Sequence, residues 1–230
     1  MLDLREQITA HSRRLCRQGY TAGDEASISC RDRSGRILIT PRGRSLGELE
    51  PDRLILLDEN GQPPTNGPQP ALAVELHRTV YGRRREADCV MVMQPPAVMA
   101  FALAAIPLVQ PAVPEMVLTI GSVPLAPYTT PYTAECAAAV ERLVDNHDAL
   151  LLLGRGLLTL APNLSMAAEK VERITNLAAA LMGARSLGHV GLLDGKHIRE
   201  LMALRKKLQL EGRNPWAAED RPEEKEDRHA

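Results

Sequence analysis

The chain has no excess of charge of either sign and few aromatic residues. Its 230 residues carry 28 Lys plus Arg against 29 Asp plus Glu, which gives a formal net charge of -1, and aromatic residues make up 3%. Balanced charge provides no broad basic surface for a phosphate backbone, and few rings are available to stack on unpaired bases. We therefore expect no nucleic-acid partner.

The sequence also lacks the motifs typical of secreted and metal-binding proteins. Its cysteines include no C-x-x-C pair, and its six histidines include no H-x-H or H-x-x-x-H pair. The first 15 residues are charged and amphipathic, unlike the continuous apolar segment of a signal peptide. These features predict a cytoplasmic protein with free thiols at Cys16, Cys30, Cys89 and Cys136.

A run without charge between Asp88 and Glu115 raises the question of a membrane helix. A spanning helix needs about 20 consecutive apolar residues. Prolines remove backbone donors and break helices, and the run contains Pro95, Pro96, Pro107, Pro111 and Pro114. We expect no membrane span and interpret the run as a buried strand, a short helix and an extended connection.

Hydrophobic periodicity predicts an α/β domain over residues 1–212. Helices are expected at 2–17, around Leu72 to Val80, at 134–146, at 164–183 and after a cap at Asp194. Strands are expected at 26–32, 36–40, 53–58, 87–93, 116–120, 149–153 and 157–160. Residues 213–230 are rich in charge and poor in aliphatic side chains, which predicts a disordered tail with Trp216 as its anchor.

Three local features suggest chemistry without establishing it. The string Gly43–Gly47 matches G-x-S-x-G, but Thr40 and Pro41 already end the strand, so we favour a loop over a hydrolase elbow. Arg83–Arg85 could bind an anion, although a solvated rim or a salt bridge between subunits is the favoured interpretation. Glu75 and Glu135 could serve as acid or base only if they converged in one pocket.

The order of several short segments resembles the class II aldolase/adducin family over about residues 2–210. This resemblance implies a three-layer αβα fold with a central, largely antiparallel sheet. It also implies a homo-oligomer, usually a tetramer, with active sites between neighbouring subunits. The segments are Ala26–Ser29, Ile37–Gly43, Leu49–Leu54, His77–Tyr81, Val92–Pro96, Tyr132–Glu135, Gly154–Gly156 and Ala167–Glu172.

The same resemblance implies that the usual metal site is missing. Active members hold a divalent metal with an H-x-H pair and an Asn-His-Gly turn, and these positions are Val92, Gln94 and Gly154–Gly156 here. Valine has no donor atom, and Arg155 brings a fixed positive charge to the place of the cation. The Ser-Ser-Glu segment, which supplies phosphate contacts and the catalytic glutamate, corresponds to Ala71–Ala73. We expect no metal cofactor and no ordinary aldolase mechanism.

The polar groups that remain could still form an anion site. A small anionic ligand would be held by Ser27, Thr40, Arg42, Gly43 and Arg155.

Three functions are consistent with this pattern. The first is a non-catalytic scaffold, regulatory subunit or pseudoenzyme, which could assemble with an active paralogue. The second is a metal-independent lyase, decarboxylase or isomerase acting on a small anionic carbonyl compound. The third is a true aldolase whose metal ligands are not evident in the sequence. Candidates for the second function are Gln94, Arg155, His77, Glu135, Tyr128 and Tyr132.

Overall fold

A mixed sheet forms the centre of the computed structural model, which describes residues 3–21, 23–32, 34–58 and 60–217. Within these residues the sheet has seven strands in the order β3-β2-β1-β4-β7-β6-β5. All neighbouring strands are antiparallel except β5 and β6. The strands are β1 (Ser27–Arg31), β2 (Ile37–Ile39), β3 (Ile55–Leu56), β4 (Cys89–Met93), β5 (Leu125–Ala126), β6 (Ala149–Leu152) and β7 (Gly156–Ala161).

Helices cover both faces of this sheet. One face packs against residues of α1, α3, α4 and α6, and the other against residues of α2 and α5. The expected three-layer αβα fold with a largely antiparallel sheet is therefore confirmed. The helices are α1 (Leu4–Arg17), α2 (Val74–Arg83), α3 (Pro96–Leu103), α4 (Pro114–Thr119), α5 (Ala134–Val144), α6 (Leu164–Ser186) and α7 (Gly195–Lys207).

The central strands are apolar on both faces because both faces are covered. In β4, Met91 and Met93 belong to the core under α1 and α6, whereas Val90 and Val92 belong to the core under α2 and α5. All four side chains are completely buried. Successive side chains of a strand point to opposite faces of the sheet. Because helices cover both faces here, β4 is apolar at every position and does not alternate between apolar and polar residues.

The expected strand at 116–120 is wrong. Those residues lie mainly in α4, which begins with Pro114 and buries Met116 and Val117. Proline is well suited to the first position of a helix because its fixed φ is helical and its missing N–H has no partner there. A five-residue apolar run cannot distinguish a buried strand from a buried helical turn.

The expectation of four free thiols is wrong for Cys30 and Cys89. These residues face each other in the antiparallel pair β1 and β4, with Cα atoms 4.2 Å apart, and they form a disulfide. The two residues are 59 positions apart in the sequence, so their proximity follows from strand pairing and not from a local motif. Cys16 and Cys136 are free thiols.

The first residues of the expected tail pack against the domain. Asn214 is buried and donates from Nδ2 to the carbonyl oxygen of Val117 at 2.7 Å. The backbone N–H of Arg213 donates to Oδ2 of Asp148 at 3.1 Å. Residues 218–230, which make up the rest of the expected tail, lie outside the described residues. Within the described part of the chain, no helix is both long and apolar enough to cross a membrane.

Candidate functional site

The turn between β6 and β7 places Arg155 at one end of the sheet. This turn runs through Gly154 and Gly156, both with positive φ, at +68° and +128°. A Cβ atom at Gly156 would overlap the carbonyl oxygen of Met93, the last residue of β4. Only glycine permits this close approach and this backbone conformation. The turn therefore packs directly against the backbone of Met93 and Gln94.

Arg155 has two described partners, and neither of them is acidic. Its Nη1 donates to Sγ of Cys136 at 3.3 Å, and its guanidinium carbon lies 4.5 Å from the ring centroid of Tyr132. Its Nη2 is buried and has no hydrogen-bond partner among the described residues. A buried polar atom without a partner costs free energy. The N–H groups of Nη2 can therefore donate hydrogen bonds to an acceptor atom of a ligand.

A small cavity adjoins this guanidinium. Its volume is about 40 Å³, and its walls include Arg155, Cys136 and Tyr128. Oε1 of Gln94 is also buried without a hydrogen-bond partner in the described structure. The guanidinium of Arg155, the thiol of Cys136 and the amide of Gln94 thus all lie close to the turn between β6 and β7.

His77 lies in a fully buried chain of hydrogen bonds between α2 and β1. Its Nε2 is 2.8 Å from Oγ of Ser27 and its Nδ1 is 2.7 Å from Oγ of Ser29. Oγ of Ser29 lies 2.8 Å from the hydroxyl of Tyr81. Burial, and then the positive charge of Arg155, lower the pKa of His77 to about 3. The imidazole is therefore neutral at physiological pH, and both nitrogens are occupied by serine hydroxyls.

The remaining acid and base candidates lie on the surface. Glu135 is exposed in the first turn of α5, and Tyr128 is 65% exposed. Tyr132 is 40% exposed and has φ of +66°, which is rare for a residue other than glycine. Glu75 is exposed and pairs with Arg78 at 2.8 Å. The structure therefore brings Tyr132 to Arg155 but places neither glutamate in a buried pocket with it.

The residues of the expected anion cradle are differently engaged. The hydroxyl of Ser27 contacts His77, and Oγ1 of Thr40 accepts from the backbone N–H of Ile28 at 3.2 Å. Arg42 and Gly43 are exposed beyond the end of β2. An anion site that includes these four residues together with Arg155 stays a prediction.

Two arginines of the cluster at 83–85, Arg83 and Arg84, form ion pairs within the chain. Arg84 is only 1% exposed and donates from Nη2 to Oδ1 of Asp148 at 2.5 Å. Lys170 donates to Oδ2 of the same carboxylate at 2.7 Å, and Arg83 pairs with Asp145. These contacts join α2 and α6 to the start of β6. Arg84 is therefore a buried cation inside the domain and not part of a solvated rim, whereas Arg83 lies on the surface as expected.

The side chains at the family's metal positions do not suit a divalent ion. Val92 is completely buried and offers no donor, and Arg155 supplies a cation. Within the described ranges, no group of three or more His, Cys, Asp or Glu is arranged to hold a metal.

Sequence reasoning missed Cys136 as a member of this site. Cys136 is 6% exposed and lies in the first turn of α5, where its backbone N–H donates to Oγ1 of Thr133 at 3.3 Å. Thr133 is the N-cap of this helix. A cap followed by a cysteine predicts a thiol at a helix start, but nothing local indicates that Arg155 lies beside it.

Comparisons with known proteins agree with this fold. The family model described as Class II Aldolase and Adducin N-terminal domain matches residues 6–182. A 3-oxo-tetronate 4-phosphate decarboxylase from Cupriavidus necator is 31% identical over 183 residues, which are 78% of this chain and 83% of that protein. A 5-deoxy-D-ribulose 1-phosphate aldolase from Bacillus thuringiensis is 28% identical over 200 residues, which are 86% and 92% of the two chains.

A solved L-fuculose 1-phosphate aldolase has the same fold, with a TM-score of 0.82 and 22% identity. The similarity covers 91% of this chain and 98% of that one. The matched family model spans most of the sheet and the helices on both of its faces, so the chain belongs to the class II aldolase/adducin family.

Proposed function

We propose that the cleft at Arg155 binds a small carboxylate without a divalent metal, and that the chain is a non-catalytic, ligand-binding member of its family. The observation that carries this proposal is that, among the described residues, the guanidinium of Arg155 has no acidic partner and keeps an unused hydrogen-bond donor. Nη1 contacts a thiol, while Nη2 is buried without a described partner beside a cavity. A guanidinium binds a carboxylate through parallel, charge-assisted hydrogen bonds.

The size of the cavity favours a small carboxylate over a sugar phosphate. A volume of about 40 Å³ accommodates a group of a few atoms. Tyr128 lines this cavity and is 65% exposed, so its ring provides apolar contact for the rest of the ligand. The positive charge of Arg155 thus takes the electrostatic role that a metal ion has elsewhere in the family.

The positions of two candidate proton-transfer groups, His77 and Glu135, support a non-catalytic role. General acid or base catalysis needs a group within hydrogen-bond reach of the reacting atoms and with a pKa near the working pH. His77 is neutral, buried and bonded to two serines, and Glu135 is exposed on the surface. His77 is therefore not available to a ligand at Arg155, and Glu135 does not share a buried pocket with it.

A ligand screen tests the binding proposal. Purified protein, treated with a chelator, is titrated with acetate, malonate, acetoacetate and inorganic phosphate while its melting temperature is followed. We expect at least one carboxylate to stabilise the wild type and Arg13→Gln, which removes an exposed arginine of α1, but not Arg155→Gln. No stabilisation of the wild type, or equal stabilisation of Arg155→Gln, would overturn the proposal.

A second candidate is a metal-independent decarboxylase of 3-oxo acids. It is favoured by the relative named 3-oxo-tetronate 4-phosphate decarboxylase. In such a reaction the bond to the carboxylate carbon breaks and its electron pair passes to the ketone as an enolate. Arg155 and the amide of Gln94 are donors of the kind that stabilise such an oxyanion.

Carbon dioxide release separates the two candidates. Acetoacetate is incubated with chelator-treated protein, and its loss is compared with that in buffer alone. The non-catalytic proposal predicts no acceleration over buffer. Acceleration by the wild type and by Arg13→Gln, but not by Arg155→Gln, would replace it with the decarboxylase.

A further inference from the structure

Residues 210–216, which follow α7, form a segment that we call the C-terminal strap. The strap contacts Asp148, which precedes β6, so it lies at the opposite end of this strand from Arg155. Two cavities of about 140 and 410 Å³ adjoin the strap at residues 210–212. Because close packing is interrupted there, specific polar contacts hold the strap against the domain.

The buried guanidinium of Arg205, on α7, joins the strap to the C-terminal end of α4. Its Nη1 donates to the carbonyl oxygen of Leu118 in α4 at 2.7 Å. Its Nη2 donates to the carbonyl oxygens of Glu211 and Gly212 in the strap, at 2.7 and 2.6 Å. One side chain therefore binds backbone acceptors of both segments, and the loss of Arg205 would separate them.

The loop after α4 is shaped to receive the strap. Gly121 has φ of +86°, and a Cβ atom there would overlap the side chain of Asn214 and the ring of Pro215. Nδ2 of Asn214 donates to the carbonyl oxygen of Val117 at 2.7 Å, and its Oδ1 accepts from the N–H of Trp216 at 2.9 Å. The last carbonyl groups of a helix have no partner within the helix. Residues of α7 and the strap therefore supply the C-terminal cap of α4.

A short segment connects this capped end of α4 to the cleft at Arg155. Val123 and Leu108 exchange two backbone hydrogen bonds of 3.0 Å. Strand β5 follows as only two residues, Leu125–Ala126, at the edge of the sheet. Tyr128, two residues further on, lines the cavity at Arg155. A two-residue edge strand contributes few contacts of its own, so the position of Tyr128 depends on how firmly α4 is held.

We propose that the C-terminal strap positions Tyr128 in the wall of the cleft, by capping α4 and thereby fixing β5. Arg205 and Asn214 are then positioning residues, because they act through Tyr128 and lie at the other end of β6 from the ligand. Detachment of the strap leaves carbonyl groups of α4 without partners and releases β5. The effect on carboxylate binding rests on the proposed function, whereas the effect on β5 does not.

Hydrogen exchange of the full chain tests the strap without any ligand. Asn214→Ala and Arg205→Gln remove its contacts from two different elements. The control Glu211→Gln changes an exposed side chain of the strap and keeps the backbone carbonyl that Arg205 binds. In Asn214→Ala and Arg205→Gln we expect peptides covering 106–126 to exchange about tenfold faster than in the wild type. Peptides covering 36–42, at the other edge of the sheet, should be unchanged, as should both regions in Glu211→Gln.

Two results of this experiment would overturn the proposal. One is unchanged exchange of 106–126 in Asn214→Ala. The other is equal acceleration of 106–126 and 36–42, since that would mean global loss of stability and not local release. Asn214 lies beyond the last helix, so Asn214→Ala decides the question alone if Arg205→Gln does not fold.

Ligand affinity tests the consequence for the cleft. Isothermal titration with the best carboxylate of the screen is expected to show about fivefold weaker binding by Asn214→Ala and unchanged binding by Glu211→Gln. In a Tyr128→Ala background, Asn214→Ala should cause no further loss, because it acts through Tyr128. Losses that add would overturn the positioning role. If no carboxylate binds the wild type, the proposed function fails, while exchange of 106–126 still decides whether the strap fixes β5.

Discussion

Acid should destabilise this protein through one buried imidazole, and His77→Gln should remove that effect. The folded state lowers the pKa of His77 from 6.5 to about 3 through burial and the charge of Arg155. A histidine with a lowered pKa binds fewer protons in the folded state than in the unfolded state. Its contribution is therefore fully present above pH 6.5 and is lost as the pH falls towards 3.

The size of this effect follows from the pKa difference. Each pH unit between the two pKa values changes the free energy of unfolding by about 1.4 kcal/mol for one proton. At pH 6.5 half of the unfolded imidazoles are already protonated, so the loss between pH 6.5 and 4.5 is slightly less than two full units, or about 2.3 kcal/mol. Glutamine does not titrate and can still bond to one of the two serines, so the variant is less stable at neutral pH but less sensitive to acid.

Urea unfolding at pH 7.5, 6.5, 5.5 and 4.5 measures this effect. The matched control is His11→Gln, because His11 lies on α1 far from this network and bonds only to a backbone carbonyl among its described contacts. The pKa of His147 is also lowered by burial, but His147 is retained in all three proteins and cancels in the comparison. Parallel loss of stability in the wild type and His77→Gln between pH 6.5 and 4.5 would refute the reasoning.

Three further predictions concern the framework of the site. Gly156→Ala should lower the free energy of unfolding in urea by at least about 3 kcal/mol, because the new Cβ would overlap the carbonyl oxygen of Met93. Gly154→Ala, whose Cβ meets open space, should lower it by only about 1 kcal/mol. Similar losses in the two variants would contradict this prediction. Asp148→Asn should cost about 3–5 kcal/mol by leaving two buried cations without their carboxylate, and a loss below about 1 kcal/mol would be inconsistent with that network. Thiol titration in denaturant without reductant should detect two thiols, and four after reduction, because Cys30 and Cys89 are bonded; four before reduction would exclude the disulfide.

Helices and long strands could be predicted from the sequence because their apolar residues repeat at regular intervals. The helix expected at 164–183 is observed as Leu164–Ser186, and Asp194 caps α7 by accepting from the backbone N–H of His197. The short run at 116–120 could not be assigned, since its few apolar residues satisfy both a strand and a helical turn. Local periodicity therefore determines an element only when the element is long enough to show it.

The site was less predictable because its contacts join distant parts of the chain. Arg155 could be singled out by its position in the family pattern, but its neighbour Cys136 is 19 residues away. His77 is one of several candidates for proton transfer in the second function, yet its two serine partners lie 48 and 50 residues away in the sequence, and burial beside Arg155 keeps it neutral. Such contacts depend on strand register and helix packing, which a single sequence does not reveal.

The central claim is that Arg155 holds a carboxylate where other members of the family hold a metal ion. Isothermal titration of chelator-treated protein with the best carboxylate of the screen tests it most directly, with wild type and Arg155→Gln measured side by side. We expect one carboxylate per chain in the wild type, unchanged affinity after a divalent metal is added back, and affinity at least about tenfold weaker in Arg155→Gln. Binding that requires the metal, or that is equally strong in Arg155→Gln, would contradict the claim.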